Sequence, residues 1–140
     1  MKVLIDTNII LDILLAREPF VRDSVEILRL AEEKKIEGFV TANTIVDIIY
    51  ITKKYISDKN VRESTVKTIV NILDITGANK SDILKAFDME FADYEDALQT
   101  QCAMKIKADY IITRDLNDFL MSPVKALTPT QFLSLNSPSI

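Results

Sequence analysis

The chain has 140 residues, with 17 Lys plus Arg against 21 Asp plus Glu, a formal net charge of −4, and an apolar share of 48%. That length is one ordinary domain and that apolar share supports a core, which excludes a disordered chain. With no histidine and a single cysteine, Cys102, the chain also excludes a disulfide scaffold, a Cys/His zinc centre, a Ser-His-Asp triad and a Cys-His pair.

Lys2–Ile5 is a short aliphatic, β-branched run that ends at Asp6-Thr7-Asn8, which reads as a buried strand feeding a polar turn. The next apolar stretch, residues 9–16, is broken by Asp12. Neither stretch is long enough for a membrane span or a signal-peptide core, so a soluble, cytoplasmic protein is expected. After Pro19, apolar residues at Val21, Val25, Leu28 and Ala31 predict a helix over residues 20–35, and residues 39–42 a second short strand. Asn43 or Thr44 can cap a helix carrying Ile45, Ile48, Ile49 and Thr52.

Residues 61–73 form an amphipathic stretch with Val66, Ile69, Val70 and Leu73 as its core stripe, and residues 74–78 a strand or turn. A helix follows from Asn79 or Ser81 through Ile83, Leu84 and Phe87, extending toward Phe91. Asp93 caps another, in which Tyr94, Leu98, Cys102 and Ile106 recur every four residues. Residues 108–113 are the third clear strand, residues 124–127 a short one, and Thr128-Pro129 opens a last helix before a frayed end at about 135–140. Strands alternating with helices predict an α/β layer fold with a short, mostly parallel central sheet, in one domain spanning residues 1–140.

In such a sheet, function collects beyond the carboxyl ends of the strands. Asp6 follows the first strand directly, and Asp115 follows the strand ending at Thr113 with only Arg114 between. Asp47 lies one helical turn past the second strand, and Asp96 on the first turn of the helix leading to the third. Four carboxylates from remote parts of the chain can therefore converge. Convergent acids repel one another unless cations are present, and an all-oxygen pocket suits Mg²⁺ or Mn²⁺. Two such ions can activate a water and stabilise the leaving oxygen of a phosphodiester without any histidine.

The segments 3–8 (VLIDTN), 93–99 (DYEDALQ) and 108–119 (ADYIITRDLNDF), in this order and spacing, resemble a PIN domain, the nuclease fold of VapC-type toxins. The likeness runs over nearly the whole chain, including the closing Leu127-Thr128-Pro129 and final helix. It implies a three-layer α/β/α fold and Mg²⁺- or Mn²⁺-dependent cleavage of single-stranded RNA to 5′-phosphate and 3′-hydroxyl products, by the toxin of a toxin–antitoxin pair. It also implies an antitoxin protein as partner, and dimerisation. The family's acids fall on Asp6, Asp47, Asp96 and either Asp115 or Asp118, with Thr113 at its hydroxyl position. Where the family commonly has glutamate this chain has Asp47, one methylene shorter, which reaches a metal directly or through water.

Bland readings stand beside these. Asp93 is expected to be a helix cap, Asn8 to close the turn or orient Asp6, Glu95 to face solvent and Cys102 to lie in the core. Lys53, Lys54 and Arg114, with Tyr50 and Tyr55, are candidate RNA contacts or a solvated surface. A receiver domain needs an acid pair at the first strand, and a haloacid-dehalogenase phosphatase needs an acid where Asn8 stands, so both are disfavoured. The remaining alternative is a non-catalytic PIN-fold module that binds RNA or protein.

Overall fold

A computed structural model describes residues 1–135, so the end expected to fray lies outside the described residues beyond Leu135. Five strands form one parallel sheet: β1 (Lys2–Ile5), β2 (Glu37–Thr41), β3 (Asp74–Thr76), β4 (Tyr110–Ile112) and β5 (Ala126–Leu127). Their order across the sheet is β3-β2-β1-β4-β5. The helices are α1 (Thr7–Leu14), α2 (Val21–Glu32), α3 (Ala42–Thr52), α4 (Lys59–Ile72), α5 (Lys80–Phe87), α6 (Tyr94–Lys105) and α7 (Pro129–Leu135). Among the described residues no helix is long and apolar enough to cross a membrane.

The period of two along β1 separates the layers. Val3 and Ile5 enter a core with Ile9 and Ile10 of α1, Ile27 of α2, Ile48 of α3, Ile69 of α4 and Phe132 of α7. Leu4 points the other way, to Ala103 of α6, Ile111, Phe119 and Val124. A parallel sheet covered on both faces is the expected three-layer α/β/α arrangement.

One helix lies where the sequence pattern assigns no element: the polar turn expected at residues 6–8 and much of the apolar stretch 9–16 form α1. The chain turns helical at Thr7, with Asp6 as an extended N-cap (φ −67°, ψ 149°) whose carbonyl accepts from the Ile9 amide at 3.0 Å. The β-branched run and the polar DTN step hide this helix from local reading, and burial of Ile9, Ile10 and Leu11 in the core overrides the modest helix propensity of the two isoleucines. Elsewhere, apart from a short 3₁₀ turn at Leu116–Phe119, only boundaries move. Thr41, rather than Asn43 or Thr44, caps α3, its hydroxyl accepting from the Thr44 amide at 3.1 Å. Asp58 caps α4, and Asn79 with Asp82 forms a reciprocal capping box on α5.

β2 can lie close under α2 and α4 because position 38 has no side chain. A Cβ built on Gly38 would stand 2.7 Å from Leu73 Cδ2 and 3.2 Å from Ala31 Cβ. Gly38→Ala is therefore expected to lower stability by about 1–3 kcal/mol through overpacking. Urea unfolding reads this directly, and an unchanged midpoint would mean that the two helices yield freely.

Candidate metal centre

The strand order reverses at β1, whose neighbours are β2 and β4. A crevice opens outside the carboxyl ends at such a switch point. Asp6 stands at the end of β1, and Thr113 to Asp115 follow the end of β4. The end of β2 runs straight into α3, which carries Asp47 one turn in. α6 leads back to β4 and so begins at the same edge, with Asp96 on its first turn. Three helix N-termini, those of α1, α3 and α6, thus share this edge and bring partial positive charge to it. Threonines tie two of them together: Thr44 Oγ1 is hydrogen-bonded to Thr7 Oγ1 at 2.8 Å and to Thr41 Oγ1 at 3.1 Å.

Asp6, Asp47, Asp96 and Asp115 all line one open cleft of about 300 Å³, joined by Asp93, Glu95 and Asp118. Seven carboxylates face this space, and among the described residues lining it there is no lysine or arginine. Asp6, 7% exposed, is held from both sides: Thr113 Oγ1 donates to Oδ2 at 2.8 Å and Gln99 Nε2 to Oδ1 at 3.2 Å. The Thr113 hydroxyl also accepts the Asp115 amide at 3.0 Å, and Asn8 Nδ2 donates to Asp115 Oδ2 at 3.2 Å. Asp93 accepts from the Asp96 amide at 3.1 Å, the cap geometry expected of it.

Burial, and then the charge of neighbouring acids, disturbs the protonation of the carboxyls in this cleft. Burial pushes Asp96 up to about 7, followed by the charges of Asp93, Asp118, Asp6 and Glu95. Burial raises Asp6 above the ordinary carboxylate range against the hydrogen bonds from Thr113 and Gln99, and the charge of Asp115 adds to the rise. Burial likewise raises Glu95, whose carboxyl is within hydrogen-bonding reach of Asp47 and feels the charges of Asp47, Asp93 and Asp6. Each of these shifts says the same thing: the cleft takes up protons or other cations to become stable. Among the described residues no three His, Cys, Asp or Glu side chains form a ready-made ion cage. A hard cation that keeps several waters needs only one or two direct carboxylates. The all-oxygen donor set, with lone pairs left on Asp6 after its two neutral donors, fits Mg²⁺ or Mn²⁺.

A family model described as PIN domain matches residues 2–117. The chain belongs to the PIN domain family. It is 31% identical over 136 residues to ribonuclease VapC1 of Aquifex aeolicus, covering 94% of this chain and 92% of that protein. The PIN fold also matches solved chains. One is from a VapBC2 complex of Rickettsia felis bound to a fragment of promoter DNA (TM-score 0.70, 15% identity, 91% of this chain and 98% of that one). Another is from a toxin–antitoxin complex of Klebsiella pneumoniae (TM-score 0.68, 22% identity, 91% and 97%).

Within this PIN domain the remaining candidate residues scatter. Lys53 and Lys54 are exposed just past the end of α3, three residues and less beyond Ile51, which lines the cleft. Arg114 does not face the cleft. It lies on Asp12 of α1, with Nη2 donating to Oδ1 at 3.2 Å. Cys102 is buried, as expected. Glu95, expected to face solvent, is exposed yet lines the cleft. Gln99 and Asp12 were not singled out from sequence. Gln99 carried one usable signal, since it stands three residues after Asp96 and therefore on the same face of α6.

Proposed function

We propose that this PIN domain is a Mg²⁺- or Mn²⁺-dependent endoribonuclease that cleaves single-stranded RNA in the cytoplasm, as the toxin of a toxin–antitoxin pair. The observation that carries this reading is the seven-carboxylate cleft without a compensating basic side chain, at the switch point of a parallel sheet. Membership of the PIN family, a relative named a ribonuclease, and folds shared with toxin–antitoxin complexes support it.

Asp6 and Asp96 would be the principal ligands, with Asp47 and Asp115 completing the pocket directly or through water, and Asp118 competing with Asp115 for the fourth place. When bound, divalent ions would lower the pKa of a water and stabilise the negative charge developing on the leaving oxygen. The protein's own contribution is preorganisation. Thr113 and Gln99 fix both oxygens of Asp6, and Asn8 holds Asp115, so that the carboxylates need not reorganise when substrate arrives. With no histidine in the chain, no side-chain nucleophile has an imidazole base, which favours direct hydrolysis by water over a covalent enzyme intermediate. Exposed Tyr50 and Tyr55 beside Lys53 and Lys54 offer stacking faces and positive charge to a flexible single strand. Exposed Val46, Ile49, Leu84 and Phe87 leave apolar surface for an antitoxin or a second copy of the chain.

The missing ready-made cage favours one competing reading, a PIN-fold module that binds without cutting. Incubating the purified chain with labelled single-stranded RNA separates the two. Cleavage is expected with Mn²⁺ or Mg²⁺, with none in EDTA and little on a duplex of the same sequence. RNA retention without cleavage at any Mn²⁺ concentration would leave only the binding module.

A further inference from the structure

Asp12 is fully buried on α1, where an unpaired carboxylate would be strongly unfavourable. Its partner comes from 102 residues away. Arg114 Nη2 donates to Asp12 Oδ1 at 3.2 Å, Nε stands 2.7 Å from Oδ2 as an ion-pair contact without hydrogen-bond alignment, and the guanidinium also lies 4.1 Å over the centre of the Phe20 ring. Arg17 approaches the same carboxylate at 3.7 Å. Arg114 is the link between Thr113, which donates to Asp6, and Asp115, which lines the cleft. Asn8 and Asp12 are one turn apart on α1 and so share a face. One takes the side chain of Asp115 and the other takes Arg114, so a single helix face grips two consecutive residues of one loop.

We propose that Asp12 is a positioning residue for the metal centre, clamping the loop of residues 113–118 through Arg114 so that Asp115 is held at the cleft. The proposal rests on the nuclease reading for what the loop is positioned to do. Without the clamp, the loop keeps its backbone bond from Thr113 to Leu127 at 2.9 Å, the bonds of the Thr113 hydroxyl to Asp6 and to the Asp115 amide, and the exposed contact between Asn8 and Asp115. None of these holds the Arg114 side chain, which its ion pair with the fully buried Asp12 carboxylate anchors to α1. It also changes the role open to Arg114, since a guanidinium committed to Asp12 and Phe20 acts through Asp115 rather than on RNA.

The test uses Asp12→Asn and Arg114→Lys, which keep shape or charge but disrupt the guanidinium–carboxylate pair, beside Gly38→Ala as a control destabilised away from the cleft. In metal-free protein, amide exchange over residues 113–118 is expected to quicken about tenfold in both variants and not in the control. Mn²⁺ affinity is expected to weaken about 10–100-fold, in line with other outer contacts to metal ligands. The turnover number should fall with it while KM for RNA moves little. Unchanged loop exchange, or quickened exchange with full Mn²⁺ affinity, overturns the proposal. So does Arg114→Lys with a raised KM and unaltered Mn²⁺ affinity, which would make Arg114 an RNA contact. A wild-type chain that binds no Mn²⁺ sinks the nuclease reading and this proposal with it, and shows itself before any variant is compared.

Discussion

Asp6→Asn and Asp96→Asn are each expected to reduce Mn²⁺-dependent RNA cleavage on the order of a thousandfold, about 4 kcal/mol of transition-state stabilisation, with the fold intact. The size follows from the cleft's dependence on anionic charge, because an amide keeps the shape of the ligand and loses the attraction for a cation. The fold should tolerate Asp6→Asn for a reason visible in its surroundings. Gln99 Oε1 is buried without a hydrogen-bond partner, so rotation of the Gln99 amide offers an acceptor to the new NH₂ group. Asp96 has a different safeguard, since its amide stays capped by Asp93 whatever its side chain carries. Asp47→Asn and Asp115→Asn should lose less, about 10–100-fold, if they act mainly through water. Cleavage rates with circular dichroism on the same samples check both halves. A folded Asp6→Asn or Asp96→Asn chain with full activity would remove these residues from the centre.

The parts of the site visible in the sequence are those where chain order and function coincide. The β1 run and the acid after it are contiguous, and Asp93 and Asp96 have the spacing of a helix start, so both acids could be placed before any fold was known. What local reading missed depends on partners remote in sequence. Gln99 matters because Asp6, 93 residues away, lies under it, and Asp12 because Arg114 arrives just past the end of β4. From sequence alone Asp12 is only an interruption in an apolar run, and Arg114 a cation beside an acidic loop. Folding turns both into one buried pair. Glu95 escaped for a subtler reason: exposure and function are compatible at the rim of an open cleft. On α5 the same limit acts in reverse, because Leu84 and Phe87 have core-like spacing yet are 54% and 67% exposed. Periodicity identifies the apolar face of a helix but not whether the same chain covers it.

In EDTA, the chain is expected to lose stability as pH rises from about 4 through about 7, and to recover it when Mn²⁺ is added. The sign comes from Asp96. Its carboxyl titrates at about 7 in the folded chain against an ordinary 3.8, so between those values the folded state holds a proton that the unfolded state has released. The stabilisation is fully present below the unfolded value and is lost as pH climbs through the folded one. Full conversion at about 1.36 kcal/mol per pKa unit overstates the loss, because water in an open cleft screens the repulsion, and about 1–2 kcal/mol is expected. Asp6 and Glu95, both raised, act in the same direction. Asp82 opposes them at acid pH: its capping bond to the Asn79 amide, then Lys105, hold it at about 2, so its contribution is present above the ordinary 3.8 and fades as pH falls toward 2. Among these groups, the stabilisation is greatest between the two transitions, at about pH 4–5. Asp96→Asn should flatten the decline and melt higher than the wild type at pH 8 in EDTA, the cost of a site built for charge. Cations bound only by the folded state reverse the order, adding about 2.7 kcal/mol at a hundred times their dissociation constant. Melting curves at pH 5 and 8, with and without Mn²⁺, decide the matter. Stability that climbs from pH 5 to 8 in EDTA would show that burial and mutual repulsion do not hold these carboxyls above their ordinary range.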